Sequence, residues 1–333
     1  MVEGSAVFFR ICGMLLVMAV GWIAARRRYL APGVTQILGR LVVDISFPAL
    51  VFVQMLKTID PAALRANAWV PVLAVGTLAV GQGVGLLAAR VFSRCAEPRS
   101  FAFLVSMPNW IFLPLPIADA LYGGAGVRFV LLYNVGAQLM LWTTVPALLQ
   151  GRWGRAEGLK ALLTNPGVIA TVGGIVVALL WPDARQWAQA VPREGPLIGR
   201  MVGALLDGLG LVGSLTIPLS LVVTGAQMGE LTSGQARGNP RVLTLLAARL
   251  LIAPCVTLSL VLLGSRVVGV AMSPDSWVVL TIIVAMPVAV SCGMFIERYG
   301  GDRVLSALGI VYTTVLSTVT VPLLVLVWRA LGP

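Results

Sequence analysis

Apolar residues gather in long blocks along this chain, and the charges collect in the short gaps between them. The blocks lie near residues 5–24, 34–56, 68–92, 100–121, 127–149, 161–181, 202–228, 242–264, 276–296 and 304–328. A bilayer core of ~30 Å is crossed by ~20 helical residues, so each block is long enough for one span. The pattern predicts an all-α polytopic membrane protein with ten transmembrane helices. The longest gap, around 182–201, reads WPDARQWAQAVPREGPLIGR and predicts a short interfacial helix.

Composition agrees with this pattern. Of 333 residues, 58% are hydrophobic and 11% charged. A soluble protein of this size needs far more charge to cover its surface. The net charge of +11 does not point to nucleic acid, because the basic residues are scattered between apolar blocks as orientation signals are. Arg26, Arg27 and Arg28 follow the first block instead of preceding it. That order predicts a retained first span with its N-terminus outside, in place of a cleaved signal. With this orientation the inner gaps carry 13 basic residues and the outer gaps 8, while Arg10, Arg40 and Arg249 fall within spans. The expected arrangement is a multi-pass protein of a cell (inner) membrane with both termini outside.

Several chemistries are excluded by residues the chain lacks. It contains no histidine, so no histidine metal ligand, Ser-His or Cys-His dyad or histidine proton relay exists. Lys57 and Lys160 are its only lysines, and neither stands in a phosphate-binding glycine loop, so the chain is not itself an ATP-driven pump. Cys12, Cys95, Cys255 and Cys292 have no metal-ligand spacing and read as small structural residues. No metal, cofactor or enzymatic centre is expected.

Prolines in the fourth and ninth blocks raise a different possibility. SMPNW, with Pro108 and Asn109, is answered by AMPVA, with Pro287. LYGG at Leu121 is answered by RYGG at Arg298, the segment around Pro146 by that around Pro322, and the one around Pro48 by that around Pro218. The four separations, 179, 177, 176 and 170 residues, are nearly constant. They predict two homologous halves, 1–150 and 160–333, of five spans each. An odd number of spans turns the second half upside down, giving the inverted repeat of many secondary transporters. Pro108 and Pro287 each remove a backbone donor in mid-span. The freed groups are tolerable only where protein or a watery cavity meets them. Two such breaks should meet near the midplane and offer helix ends to an anion. Asn109 would line the opening.

Other polar residues fit this plan less directly. Asn134 and Gln138, four apart in the fifth span, share a helix face, and Gln138 corresponds to Thr314 across the repeat. They either line the site or bond between helices. Thr313, Ser317 and Thr320 are expected to bond back to their own helix. Arg40 and Asp44, four apart in the second span, predict an ion pair, with proton coupling at Asp44 as the other reading. Asp119 and Asp207 fall near the outer surface, and Arg249 is expected to snorkel inward. Gly81, Gly83 and Gly85 read as close helix packing.

The stretches SMPNWIFLPLPIADALYGG, LLTNPGVIATVGGIVVALL, SLTIPLSLVVTGAQMGEL and AMPVAVSCGMFIERYGGDRVLSALGIVYTTVLSTVTVPLL together resemble the auxin efflux carrier family, nearly end to end. That family includes plant auxin exporters and bacterial transporters of malonate or malate type. The resemblance implies inverted five-helix repeats with crossing helices 4 and 9, as in bile acid:sodium symporters and NhaA-like antiporters. It implies a scaffold of spans 1, 2, 6 and 7, often a homodimer, and a moving transport domain of spans 3–5 and 8–10. The family's crossover asparagine maps onto Asn109. Val288 stands where a polar residue is usual, Ser291 is the first hydrophilic side chain beyond it, and Leu113 replaces a frequent glycine. The expected site comprises Ser106, Met107, Pro108, Asn109, Pro287, Val288, Ser291, Asn134, Gln138 and Thr314, with Arg40 and Asp44 for coupling. The expected partners are a small carboxylate, membrane lipid and a coupling proton or sodium ion. A sodium- or proton-coupled cation antiporter of the same fold is the alternative function. An intramembrane enzyme lacks its residues, and a passive scaffold gains nothing from broken helices.

Overall fold

A computed structural model of the chain describes residues 2–92, 98–150, 160, 163–189, 197–230, 240–269 and 272–332. Proline starts eight of its helices: α2 (Pro32–Leu41), α4 (Pro61–Asn67), α6 (Pro98–Ser106), α7 (Pro114–Gln150), α8 (Pro166–Leu180), α9 (Pro182–Gln189), α12 (Pro240–Ala247) and α14 (Pro274–Ala285). The first turn has no use for the missing N–H, and the fixed φ suits a helix. The remaining helices are α1 (Val2–Arg26), α3 (Phe47–Thr58), α5 (Val70–Phe92), α10 (Leu197–Ser214), α11 (Thr216–Glu230), α13 (Ala253–Val268), α15 (Ser291–Tyr299) and α16 (Arg303–Leu331). Asp60, Asn165, Ser273 and Asp302 cap α4, α8, α14 and α16 through their side chains.

Six stretches among the described residues are long and apolar enough to cross a membrane: Gly33–Thr58, Pro61–Val91, Pro114–Leu141, Leu197–Glu230, Pro240–Val267 and Arg303–Leu331. The pair α8 and α9, bent by 111°, makes a seventh if taken as one span. α9 is the short helix expected in the 182–201 gap; residues 190–196 of that gap lie outside the described residues. The spans expected at 100–121 and 276–296 are each cut in two, α6 from the start of α7 and α14 from α15, so neither meets the length of a whole span.

Two π turns, Val42–Ser46 and Ala248–Ile252, join α2 to α3 and α12 to α13. Each stands just before a proline, Pro48 or Pro254. The proline ring crowds the carbonyl one turn back. The helix widens instead: Phe47 N–H reaches Val42 O, and Ala253 N–H reaches Ala248 O, five residues back. The first widening overturns the expected Arg40–Asp44 ion pair. Both side chains are exposed and no such pair forms, because four residues no longer make a turn there.

α1 packs on α11, and α3 packs on α8 and α10. On the other side α5 packs on α6 and α7, and α14 packs on α7 and α16. α5 also meets α13, so elements from both halves of the sequence share this side. A Cβ at Gly81 or Gly85 would press on the backbone of α6 at Ser106 or Ala102, while Gly83 faces open space. The two YGG motifs interrupt helices: Gly123, at φ 55°, kinks α7 into two helical parts, and Gly300, at φ 83°, ends α15, a region glycine adopts without strain. Asp119 and Asp207 are exposed. Cys292 is buried, Cys12 and Cys255 are partly buried, and all three are free thiols; Cys95 lies outside the described residues.

Candidate functional site

Proline breaks the helix after Ser106 and again after Ala285, and the two breaks lie against each other. Asn109 N–H donates to Pro287 O at 2.8 Å, and Ala289 N–H donates to Met107 O at 3.0 Å. Pro108 and Val288 thereby form an isolated antiparallel bridge. Every group here is deeply buried: Ser106 is 1%, Met107 0%, Asn109 4% and Val288 0% exposed. Buried backbone groups need partners, and the breaks largely supply one another's.

The partners of the remaining groups were not apparent from sequence. Val288 N–H donates to Thr313 Oγ at 3.0 Å, and the same hydroxyl donates to Gly309 O at 2.7 Å. Thr313 is thereby hydrogen-bonded to the crossing. Thr314 Oγ donates to Ile310 O at 2.6 Å, within its own helix. Ser317 bonds back as expected, but Thr320 Oγ is buried without a partner. Arg249 does not snorkel. It is 2% exposed, and its guanidinium donates to Met286 O at 3.1 Å, Val105 O at 2.8 Å and Val284 O. The signal in the sequence was a lone arginine well inside an apolar block. Its partners are backbone carbonyls, which carry no residue signature.

Asn109 is 4% exposed at the first break. Its Oδ1 accepts Phe112 N–H at 3.1 Å, capping the chain as it leaves the break. Trp110 Nε1 donates to Asn134 Oδ1 at 3.0 Å, leaving Asn134 Nδ2 buried and unpartnered beside the crossing. Gln138, one turn on, is 9% exposed. Ser106 Oγ is engaged with Phe103 O. Ser291 is partly buried at the start of α15.

A cavity of about 820 Å³ adjoins this crossing, between α2 and α11 on one wall and α15 and α16 on the other. Val290 and Gly293 bring the N-terminal turn of α15 into it. Thr35, Gln36, Arg40, Thr224, Gln227, Arg303 and Ser306 supply polar lining, and Glu230 is the single acid there. Ser306 Oγ is buried with no partner. Of the residues singled out from sequence, only Arg40 lines this space. Gln138 lies on α7 and Thr314 on α16, while Asp44 is exposed on the π turn Val42–Ser46.

A family model described as membrane transport protein matches the chain twice, over residues 6–162 and 157–325. No curated protein matches it.

Proposed function

Since the chain belongs to the membrane transport protein family, that of the auxin efflux carriers, we propose that it is a secondary transporter of a small organic anion, a carboxylate. The observation that carries this reading is the meeting of two broken helices beside a cavity lined by two arginines and one acid. Arg249 offsets the negative carbonyl ends of α6 and α14. The positive N-terminal ends of α7 and α15 are then left to act on a ligand. Arg40 and Arg303 draw the anion into the cavity. The α15 N-terminal turn and Ser306 receive it, and Asn109 and the free amide of Asn134 hold it at the crossing.

Transport proceeds by an elevator motion. The group built on α5–α7 and α12–α16 slides against that built on α1–α3 and α8–α11, and the cavity between them opens to alternate faces. Ten spans in two inverted repeats, both termini outside an inner membrane, and a homodimer through spans 2 and 7 complete the proposal.

Counterflow of labelled carboxylates into proteoliposomes, at varied pH and sodium, is the direct test. Accelerated uptake of one carboxylate, weakened in Arg303→Gln, supports the reading. Cation–proton exchange with no carboxylate flux overturns it. A cation antiporter would need an acid at the crossing, and Arg249 is the charged side chain found there among the described residues.

A further inference from the structure

Three carbonyls converge on one guanidinium where the broken helices cross. Met286 O, Val105 O and Val284 O all accept from Arg249. They belong to the C-terminal ends of α6 and α14, each of which carries roughly −0.5 charge. No carboxylate among the described residues pairs with Arg249. Tyr133, fully buried, spends its hydroxyl on Thr77 at 2.8 Å. A permanent cation sunk in apolar surroundings is costly unless its partners are fixed. Here the partners are the helix ends themselves, and a forked, planar donor satisfies three of them at once.

Carbonyl groups at half-helix C-termini are where broken-helix carriers coordinate alkali ions. We infer that Arg249 is a tethered cation that occupies such a place, so that the crossing assembles without sodium and transport draws on no sodium gradient. The first half of this inference stands on geometry alone; the second rests on the carrier reading. Arg249 is a positioning residue. It fixes the ends of α6 and α14 so that Met107, Asn109, Pro287 and Ala289 stay paired, and it takes no part in holding the anion.

Thermal melts of the purified protein in lipid discs test this. The parent should melt at the same temperature in sodium, lithium and choline chloride. Arg249→Ala should melt about 5 to 10 °C lower. Millimolar guanidinium should restore part of that loss, and choline should not. Arg249→Lys, which keeps the charge without the fork, should fall between. A saturable rise of the parent's melting temperature with sodium overturns the inference. So does an Arg249→Ala protein that melts like the parent, or one that neither guanidinium nor sodium restores. If Arg249→Ala does not fold, Arg249→Lys and the parent's sodium titration decide; a lysine variant indistinguishable from a collapsed protein at every salt counts against the tethered cation. Carboxylate counterflow with sodium replaced by choline tests the consequence for coupling. Absence of any carboxylate flux would defeat the carrier reading and leave the melts to judge Arg249.

Discussion

Neighbouring residues can hold different jobs at the crossing. Thr313 and Thr314 are alike in sequence, but only Thr313 accepts the stranded Val288 N–H. Thr313→Val should therefore cost about 1 to 3 kcal/mol in a thermal or chemical melt, the cost of a buried donor left unmet. Thr314→Val should cost much less, and equal losses would remove the distinction. Asn109 carries the sharper functional test. Asn109→Ala gives up a bond to a charged ligand, about 1.5–3 kcal/mol, or roughly 10- to 150-fold in affinity. It also gives up the cap on Phe112, about 1 kcal/mol of stability. Asn109→Asp keeps the cap but sets like charge against the anion, and should bind worse still, while Val288→Ala should matter little for binding. Calorimetry with the transported carboxylate, beside a melt, separates the two effects; an Asn109→Asp protein that binds like the parent would remove the crossing as the anion site. At this scale the sequence spoke unevenly. Pro108 and Pro287 announce themselves, because a residue without a donor has one consequence wherever it stands. Arg249 does not, because its partners Val105 and Met286 lie 144 and 37 residues away and act through their backbones.

Helices show the same division. The break between α6 and α7 and that between α14 and α15 fall where the repeated MP pairs place them, and both YGG motifs interrupt helices at glycines of positive φ. The π turns were hidden, since a proline in an apolar block is equally compatible with a plain kink; the register shift of the first is what undid the Arg40–Asp44 pairing. The cavity was hidden too, for its walls come from α2, α11, α15 and α16, four elements that no local spacing relates. One helix start gives a test that any melt can read. Asp60 accepts Ala63 N–H at 2.7 Å as the cap of α4 and meets Arg185 of α9 at 3.1 Å. The Ala63 N–H, helped by the Arg185 guanidinium, holds its carboxyl below the usual value of 3.8. A carboxyl depressed on folding lends stability above its unfolded value, and that stability is lost as pH falls through the folded one. Asp60→Asn should therefore flatten the melting temperature between neutral pH and pH values below 3.8, and Asp60→Ala should lose about 1 kcal/mol at neutral pH. An unchanged acid slope in Asp60→Asn would place the acid sensitivity elsewhere.

The whole molecule is a bundle whose two halves complete each other. Its proposed orientation predicts that cysteines placed at positions 27 and 331 react from opposite faces of the membrane once the native cysteines are replaced; labelling of both from one face defeats it. The proposed homodimer predicts twice the monomer mass in native lipid discs, and a monomer that still transports defeats that. Neither number of subunits nor side of the membrane was fixed by any contact within one chain, which is why sequence bias and resemblance had to supply them. The bridge between Pro108 and Val288 also bears on how the protein is made. The segment that completes the first break follows it by 179 residues. At a synthesis rate of ~5–20 residues per second that interval is roughly 10 to 40 seconds. Throughout it, Met107 O and Asn109 N–H lack their partners, at several kcal/mol apiece in lipid, and Val105 O waits 144 residues for Arg249. The first break therefore stays open until residues 287–289 are made. A chain that ends near residue 150 lacks Pro287 and Ala289, the partners that close its own break.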